Sequence, residues 1–435
     1  LKRLLPHLQQ LTITAALAIC CSTAFAQSAE TPIPYPADLP PLDQALSAIR
    51  QAPMAQAAAA MIAAEAANRD RLEAGPHEWG MRIEGQQRNV NGVQTTPSQR
   101  YNEWRAALER PLRLPGKAAI DAEIGAQGVT QARASFGDAL HETARGLLKS
   151  WFVWLREKES ARQWALQSES LNRQQAATAR RVQLGDAPRL ELMQSEAATA
   201  QAQAAFEQAK LRSTVAAAEL GARFPALTLP AEVALSTPQP LAGSLADWRE
   251  HLLEHNHELL LARSDSQRAR LVASRADAER TPDPTVGFHV GSDRGGEERL
   301  TGLSLSIPFP GQARAANARR ETALAGASAQ REAATMAKIN AEIATGFASA
   351  QASYESWRRA EDAAQRIEQA AALTARARTL GEASLSDVLL AQRQANEARL
   401  AANSARLDAL EARYRLYVDT HQLWPYADEE RANDR

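Results

Sequence analysis

Three histidines, His251, His255 and His257, have the spacing of metal ligands. His251 and His255 stand four apart, so on a helix they share one face, an arrangement that suits a divalent cation. No acidic or thiol partner is fixed beside them, and surface helix residues are the simpler account, so no metal site is expected. His289 alternates into one face of a strand-like segment. Cys20 and Cys21 are the two thiols. A lipoprotein signal competes with ordinary secretion at that point, but Ile19 is a poor neighbour for a lipidated Cys20. If cleavage follows Ala26, no cysteine remains, and with it no disulfide framework or thiolate metal site. No nucleophile elbow, Walker loop or zincin motif occurs. The chain is expected not to be an enzyme and to need no cofactor.

The elements that must position these residues begin after a leader. Lys2 and Arg3, the apolar stretch Leu11 to Ile19 and the Ala24-Phe25-Ala26 site form a secretory signal over residues 1–26. Its apolar part is too short to cross a membrane. The formal charge of −1 becomes −3 without Lys2 and Arg3, which gives no nucleic-acid surface. Aromatics are only 5 % of residues, and long stretches are rich in Ala, Glu, Gln and Arg. That is the composition of long packed helices rather than of a thick core. No window beyond residue 26 has the apolar run of a membrane helix, so any span must be made of strands.

Two halves repeat one plan. Leu-Glu-Arg-Pro-Leu-Arg-Leu-Pro-Gly at 108–116 answers Leu-Ser-Leu-Ser-Ile-Pro-Phe-Pro-Gly at 303–311. Leu-Gly-Asp-Ala-Pro at 184–188 answers Leu-Gly-Glu-Ala-Ser at 380–384. Gly116 to Gly311 is 195 residues (311 − 116) and Gly185 to Gly381 is 196 (381 − 185). The period is too long for a solenoid and fits a duplicated unit. The expected organisation is a first repeat over 27–241, a second over 242–425 and a polar tail at 426–435. Each repeat has a helical lead-in (about 42–73 and 244–280), two alternating strands (near 77–113 and 284–309), a Pro-Gly corner at Pro115-Gly116 or Pro310-Gly311, and a long helical tract with one reversal (116–224 and 311–424). The second tract, 312–424, contains no proline and the first only Pro188. Leu400, Leu407 and Tyr414 are seven apart, as are Phe206, Ser213 and Leu220, which is coiled-coil spacing. An ordinary soluble helical bundle would account for the heptads alone.

The strands argue otherwise. Val286, Phe288 and Val290 alternate with small or polar residues, and so do Leu303, Leu305, Ile307 and Phe309. Trp79, Met81 and Ile83, then Trp104, Ala106, Leu108 and Leu112, do the same in the first half. Segments of about ten residues with period two have the signature of transmembrane strands. Trp79, Tyr101 and Trp104 are candidate interface anchors, and His289 would point to a lumen. Four strands cannot close a barrel. In lipid an open edge leaves backbone groups unpaired at several kcal/mol each, and barrels of this kind start at about eight strands. If the strands span, several chains must share one barrel. The helical reaches, Gly116 to Gly185 and Gly311 to Gly381, are nearly equal and extend roughly 100 Å. Leu184-Gly185 and Leu380-Gly381 are then two far tips, with Gly suited to stop each helix.

With these motifs the chain resembles the TolC-type outer-membrane efflux proteins over about residues 42–425. The resemblance rests on the duplication, Pro-Asp-Pro-Thr-Val-Gly at 282–287, the Pro-x-Pro-Gly exit at 308–311, and the two Leu-Gly-acidic tips followed by Glu191 and Asp387. It implies an α+β membrane protein in which three copies form a twelve-stranded β-barrel, continued by a coiled-coil α-barrel across the periplasm of a Gram-negative bacterium. The tips at Leu184, Gly185, Leu380 and Gly381 would meet a periplasmic adaptor protein, and an inner-membrane pump would supply energy. The Pro-Gly corner is similar to that of outer components of resistance-nodulation-division pumps, including cobalt-zinc-cadmium exporters. Glu191 and Asp387 match acidic residues that line the periplasmic entrance in the family, and a ring of carboxylates favours cations. Leu390 and Ala383 depart from the family pattern, where some relatives carry a second acid and an arginine that helps hold the tunnel closed. The competing reading is a periplasmic coiled-coil structural or adaptor protein.

Overall fold

The structure is a computed structural model that describes residues 35–95, 97–254 and 256–424. The leader at 1–26 with Cys20 and Cys21, His255 and the tail at 426–435 lie outside the described residues. Ala37 to the C-terminus forms one compact unit; of a second unit, Leu1–Pro36, only Tyr35 and Pro36 are described.

Each half runs through the same order of elements. In the first, α1 (Leu42–Arg50) and α2 (Pro53–Ala74) precede β1 (Gly80–Val90) and β2 (Gln99–Pro111), and α3 (Lys117–Gln183) and α4 (Arg189–Arg223) follow. In the second, α5 (Leu245–Glu254) and α6 (His257–Ala278) precede β3 (Thr285–Asp293) and β4 (Glu298–Ser306), and α7 (Gln312–Thr379) and α8 (Leu385–Asp419) follow. α3 and α7 have 67 and 68 residues and α4 and α8 have 35 each, so the hairpins match almost turn for turn. Each lead-in differs from the single helix expected. Pro53 has no N–H to continue α1 and instead opens α2 at its first turn. Asn256 breaks the second lead-in by capping α6, its side chain accepting from the Leu259 N–H. Of the residues grouped above with strands, Trp79 lies just before β1, Leu112 just beyond β2, and Ile307 and Phe309 just beyond β4.

The helical hairpins are zipped along small-residue seams. On α4 the buried residues Ser195, Thr199, Ala202, Ala209, Ala216 and Leu220 follow alternating steps of three and four, with Phe206 and Ser213 half-buried in the same series. This is a coiled-coil seam in which Ala permits close approach. The thickest core gathers Trp151, Phe152, Leu147 and Leu148 of α3, Leu407, Leu410 and Tyr414 of α8, and the irregular segment after Phe224. Trp151 is 1 % exposed, and its indole N–H donates to the Asp38 carbonyl at 2.7 Å. The Asp38 carboxylate accepts from the Tyr414 hydroxyl and the Ser236 N–H, which ties three chain segments together. Trp151→Ala is expected to cost about 3–5 kcal/mol, read as a lowered thermal midpoint in detergent.

β1 to β4 form one antiparallel sheet in chain order. The register places Met81 and Ile83 beside Leu108 and Ala106, Leu108 beside Phe288, and Phe288 beside Leu303. One face therefore carries Met81, Ile83, Trp104, Leu108, Val286, Phe288, Val290, Leu303 and Leu305. The other carries Arg82, Glu84, Gln86, Glu103, Arg105, Glu109, His289, Gly302 and Ser304, following the same pairs.

Sheet and helices meet in a polar joint drawn from both halves. Lys117, 2 % exposed, donates to the Thr281 carbonyl at 2.7 Å and to Asp283 at 2.8 Å. Asp283 also accepts from the Leu114 N–H at 3.0 Å. Arg113 and Arg275 both hold Asp121, at 3.2 and 2.6 Å, and Arg314 reaches Glu279 at 2.7 Å. Removing one partner of a buried pair leaves a bare charge, so Lys117→Met is expected to destabilise by about 3–5 kcal/mol. Burial pushes the Asp283 carboxyl up, but the Lys117 ammonium and the Leu114 N–H outweigh it and hold it below the usual carboxylate range. A depressed folded value contributes stability above the unfolded value of about 3.9, lost as pH falls through the folded value. Acid unfolding of Asp283→Asn should lack that component; an unchanged acid profile would remove Asp283 from the joint.

Candidate functional site

The two far tips are built alike. Gly185 and Gly381 sit at φ 80° and 82°, the left-handed region that a side chain resists. The Asp186 N–H donates to the Arg181 carbonyl at 2.8 Å and the Gly185 N–H to Val182 at 3.1 Å. In the second hairpin Glu382 donates to Ala377 at 2.9 Å and Gly381 to Arg378 at 3.1 Å. Each long helix thus ends in the paired hydrogen bonds of a Schellman motif. A Cβ at either glycine would meet nothing within 4 Å, so the constraint is backbone conformation and not space. Leu184 and Leu380 stand 62 % and 66 % exposed at the tips, apolar side chains with water around them.

The returning helices start differently. Pro188 precedes α4 without a side-chain cap. Ser384 caps α8 through a full capping box, its hydroxyl accepting from the Asp387 N–H at 3.2 Å while the Asp387 carboxylate accepts from the Ser384 N–H at 3.0 Å. Hydrogen bonds from the Ser384 hydroxyl, then its N–H, hold the exposed Asp387 carboxyl below the usual range. Glu191, in the first turn of α4, is engaged by the other hairpin: the Arg378 guanidinium donates to it at 2.6 Å, and Arg181 lies 3.9 Å away. A second nitrogen of Arg378 donates to the Ala383 carbonyl at 3.2 Å, fastening its own tip. Arg378 therefore joins the two hairpins, a role sequence reasoning missed.

The corners are not equivalent. Gly116 is left-handed at φ 90°, whereas Gly311 is extended at φ −112°, a conformation open to any residue. Pro115 and Pro310 lead into them, and the Lys117–Asp283 joint lies at the first.

The two described histidines of the trio have separate partners. His251 is exposed, with its Nδ1 at 2.8 Å from the Asp247 carbonyl of its own helix. His257 is not the surface residue expected: its ring stacks on His421 at 4.9 Å, and His421 lies 5.7 Å from His141. Among the described residues no group of three His, Cys, Asp or Glu side chains could hold a metal ion. No described helix is long and apolar enough to cross a membrane.

Residues 248–418 match the family model for outer membrane efflux proteins. Over this segment the chain is similar to the outer membrane efflux protein family. The family match spans α5 to α8 and both β3 and β4, the half that carries Asp387, Arg378 and the second tip. The fold extends the likeness over most of the chain. It is similar to the outer membrane channel CmeC of Campylobacter jejuni at 13 % identity, covering 90 % of this chain and 88 % of that one, with a TM-score of 0.69. It is similar to the outer membrane protein VceC of Vibrio cholerae at 17 % identity, 87 % and 95 % coverage and a TM-score of 0.71. The open-state outer membrane channel MtrE of Neisseria gonorrhoeae gives 16 %, 95 % and 97 % coverage, and a TM-score of 0.60. At such identities the likeness is one of fold. No curated protein matches the chain in sequence.

Proposed function

We propose that the chain is the outer-membrane channel of a tripartite efflux system, a passive trimeric conduit that carries small molecules or metal ions to the exterior. The observation that carries this reading is the sheet: four strands, two open edges, one apolar face and one polar face, set on matched helical hairpins. Leu303 is 84 % exposed and Met81 73 %, far more apolar surface than a strand turns to water. Placed in lipid that surface is satisfied, and three copies supply the strands a closed barrel requires. The polar face with His289 then lines the lumen.

Below the membrane the hairpins form the periplasmic tunnel. Leu184, Gly185, Leu380 and Gly381 are the points that meet the adaptor protein, and an inner-membrane pump drives transport. Asp387, exposed and ionised, is the better placed of the two carboxylates for an acidic entrance. Glu191 is largely answered by Arg378, so the entrance is less negative than two free carboxylates per subunit would make it.

Membrane fractionation with semi-native electrophoresis tests the reading. The expected result is an outer-membrane species three times the chain mass that falls to monomer on boiling. A soluble monomer would overturn it. Sensitivity of a deletion strain to drugs and to metal salts identifies what is carried.

A further inference from the structure

β1 and β4 are the outer strands of the sheet, and each has one edge that no described strand pairs. We propose that β4 of one copy pairs antiparallel with β1 of the next in one register, with Ile83 opposite Leu305 and Glu84 opposite Ser304. This rests on the trimeric-channel reading and adds the geometry of the seam.

Three conditions restrict the register. The stagger around a closed barrel must be even, because a shift of one residue would turn the apolar face inward. Threefold symmetry requires that it divide equally among three subunits. With strands about 4.8 Å apart and a rise of about 3.3 Å per residue, tilts near 35–45° in a twelve-stranded barrel correspond to a total stagger of ~12 or ~18 residues. Each subunit therefore contributes ~4 or ~6 residues.

The sheet chooses between these. Gly80, Glu109, Gly287 and Ser304 lie on one line across it. Shifting toward the strand end puts Ser304 opposite Glu84 or Gln86. Shifting the other way by the smaller step leaves only Glu298, Arg299 and Leu300 facing β1, and most of both edges bare. The outer rim decides the size of the step. Ser292 pairs with Trp104, and Trp104 with Gly85, so Asp293 and its partner Glu298 lie level with Gln86. β1 runs on to Val90. The drop from Val90 to Gln86 equals the smaller stagger, which brings Glu298 opposite Val90 and the rims of neighbouring copies flush. All nine residues of β4 then face residues 82–90. The larger stagger carries Glu298 and Arg299 past the end of β1.

The side chains fit this seam. On the apolar face Leu305 meets Ile83 and extends the lipid-facing surface without a break. On the polar face β4 offers Gly302, Ser304 and Ser306, all short, and β1 offers Gln86, Glu84 and Arg82. The long side chains of one copy lie over the small ones of its neighbour, and like charges are nowhere opposed.

Cysteine pairs in the full-length protein, assembled in the outer membrane, test the register. Directly opposed residues bring Cβ atoms within disulfide reach, and diagonal ones do not. Adjacent pairs alternate between wide and narrow spacing, so one of Ile83→Cys/Leu305→Cys and Glu84→Cys/Ser304→Cys falls on the narrow kind. Oxidation should give covalent multimers from at least one of these. Gly85→Cys/Leu305→Cys and Gln86→Cys/Ser304→Cys, in the longer stagger, should give no more product than the single-cysteine variants. Cross-linking by the latter pairs, or by neither set in a protein that remains trimeric, overturns the register and leaves the channel reading standing. A monomer in every variant and in the unmodified chain overturns the channel reading itself.

Discussion

Reversing the charge at position 378 should open the periplasmic end. Arg378→Glu replaces the 2.6 Å bridge to Glu191 with two facing carboxylates and removes the donor to Ala383. A hydrogen bond to a charged, half-buried partner contributes about 1.5–3 kcal/mol, and each 1.4 kcal/mol is about tenfold in an equilibrium. The balance between joined and separated hairpin tips should therefore shift by about ten- to a hundredfold toward separation. The readouts are single-channel conductance in planar bilayers, expected to rise, and susceptibility to an antibiotic too bulky for a narrow entrance. Glu191→Arg combined with Arg378→Glu re-forms the pair in the opposite sense and should recover part of the effect, the part that measures coupling between the two residues. Conductance unchanged in the single variant would mean that the bridge does not hold the tips.

The second large effect is expected in the sheet. Leu303→Arg puts a cation on the apolar face, where a charge near the bilayer centre costs about 2–4 kcal/mol. That cost recurs in every subunit, and assembled trimer should be strongly depleted from the outer membrane. His289→Arg, on the neighbouring strand beside Gly302, projects from the opposite face, away from the seam between copies, and should assemble normally. The contrast between neighbours separates a lipid-facing surface from one packed against protein, because in the second case both arginines would be disruptive. Equal loss in the two variants would remove the assignment of faces.

Much of this architecture can be read from residue order alone, because its determinants are local. The glycines at 185 and 381 mark the tips since only a left-handed residue ends such a helix in paired hydrogen bonds. Alternation in Val286–Val290 and Leu303–Leu305 marks strands because side chains in a sheet change face at every step. The heptads at Phe206–Leu220 mark a seam that the buried residues of α4 then follow. What stayed hidden depends on distance in the chain. Arg378 and Glu191 are 187 residues apart and Lys117 and Asp283 are 166 apart, and nothing local announces either pair. Asp387 shows the opposite difficulty. The family resemblance directed attention to its charge, while Ser384-Leu385-Ser386-Asp387 was already legible as a capping box. Gly311 looked like a copy of Gly116, yet the second corner is extended and does not use the freedom of glycine.

The near identity of α3 with α7 and of α4 with α8 has a consequence for how such a chain can vary through descent. A residue lost from one long helix alone would shorten it by about 1.5 Å and turn everything beyond by about 100°, breaking the seam and leaving the two tips uneven. Changes in tunnel length are therefore expected to survive only when both halves acquire them together, and in steps of about seven residues that restore the facing surfaces. Once doubled, an ancestral hairpin would carry two copies of the same ruler, each holding the other to length.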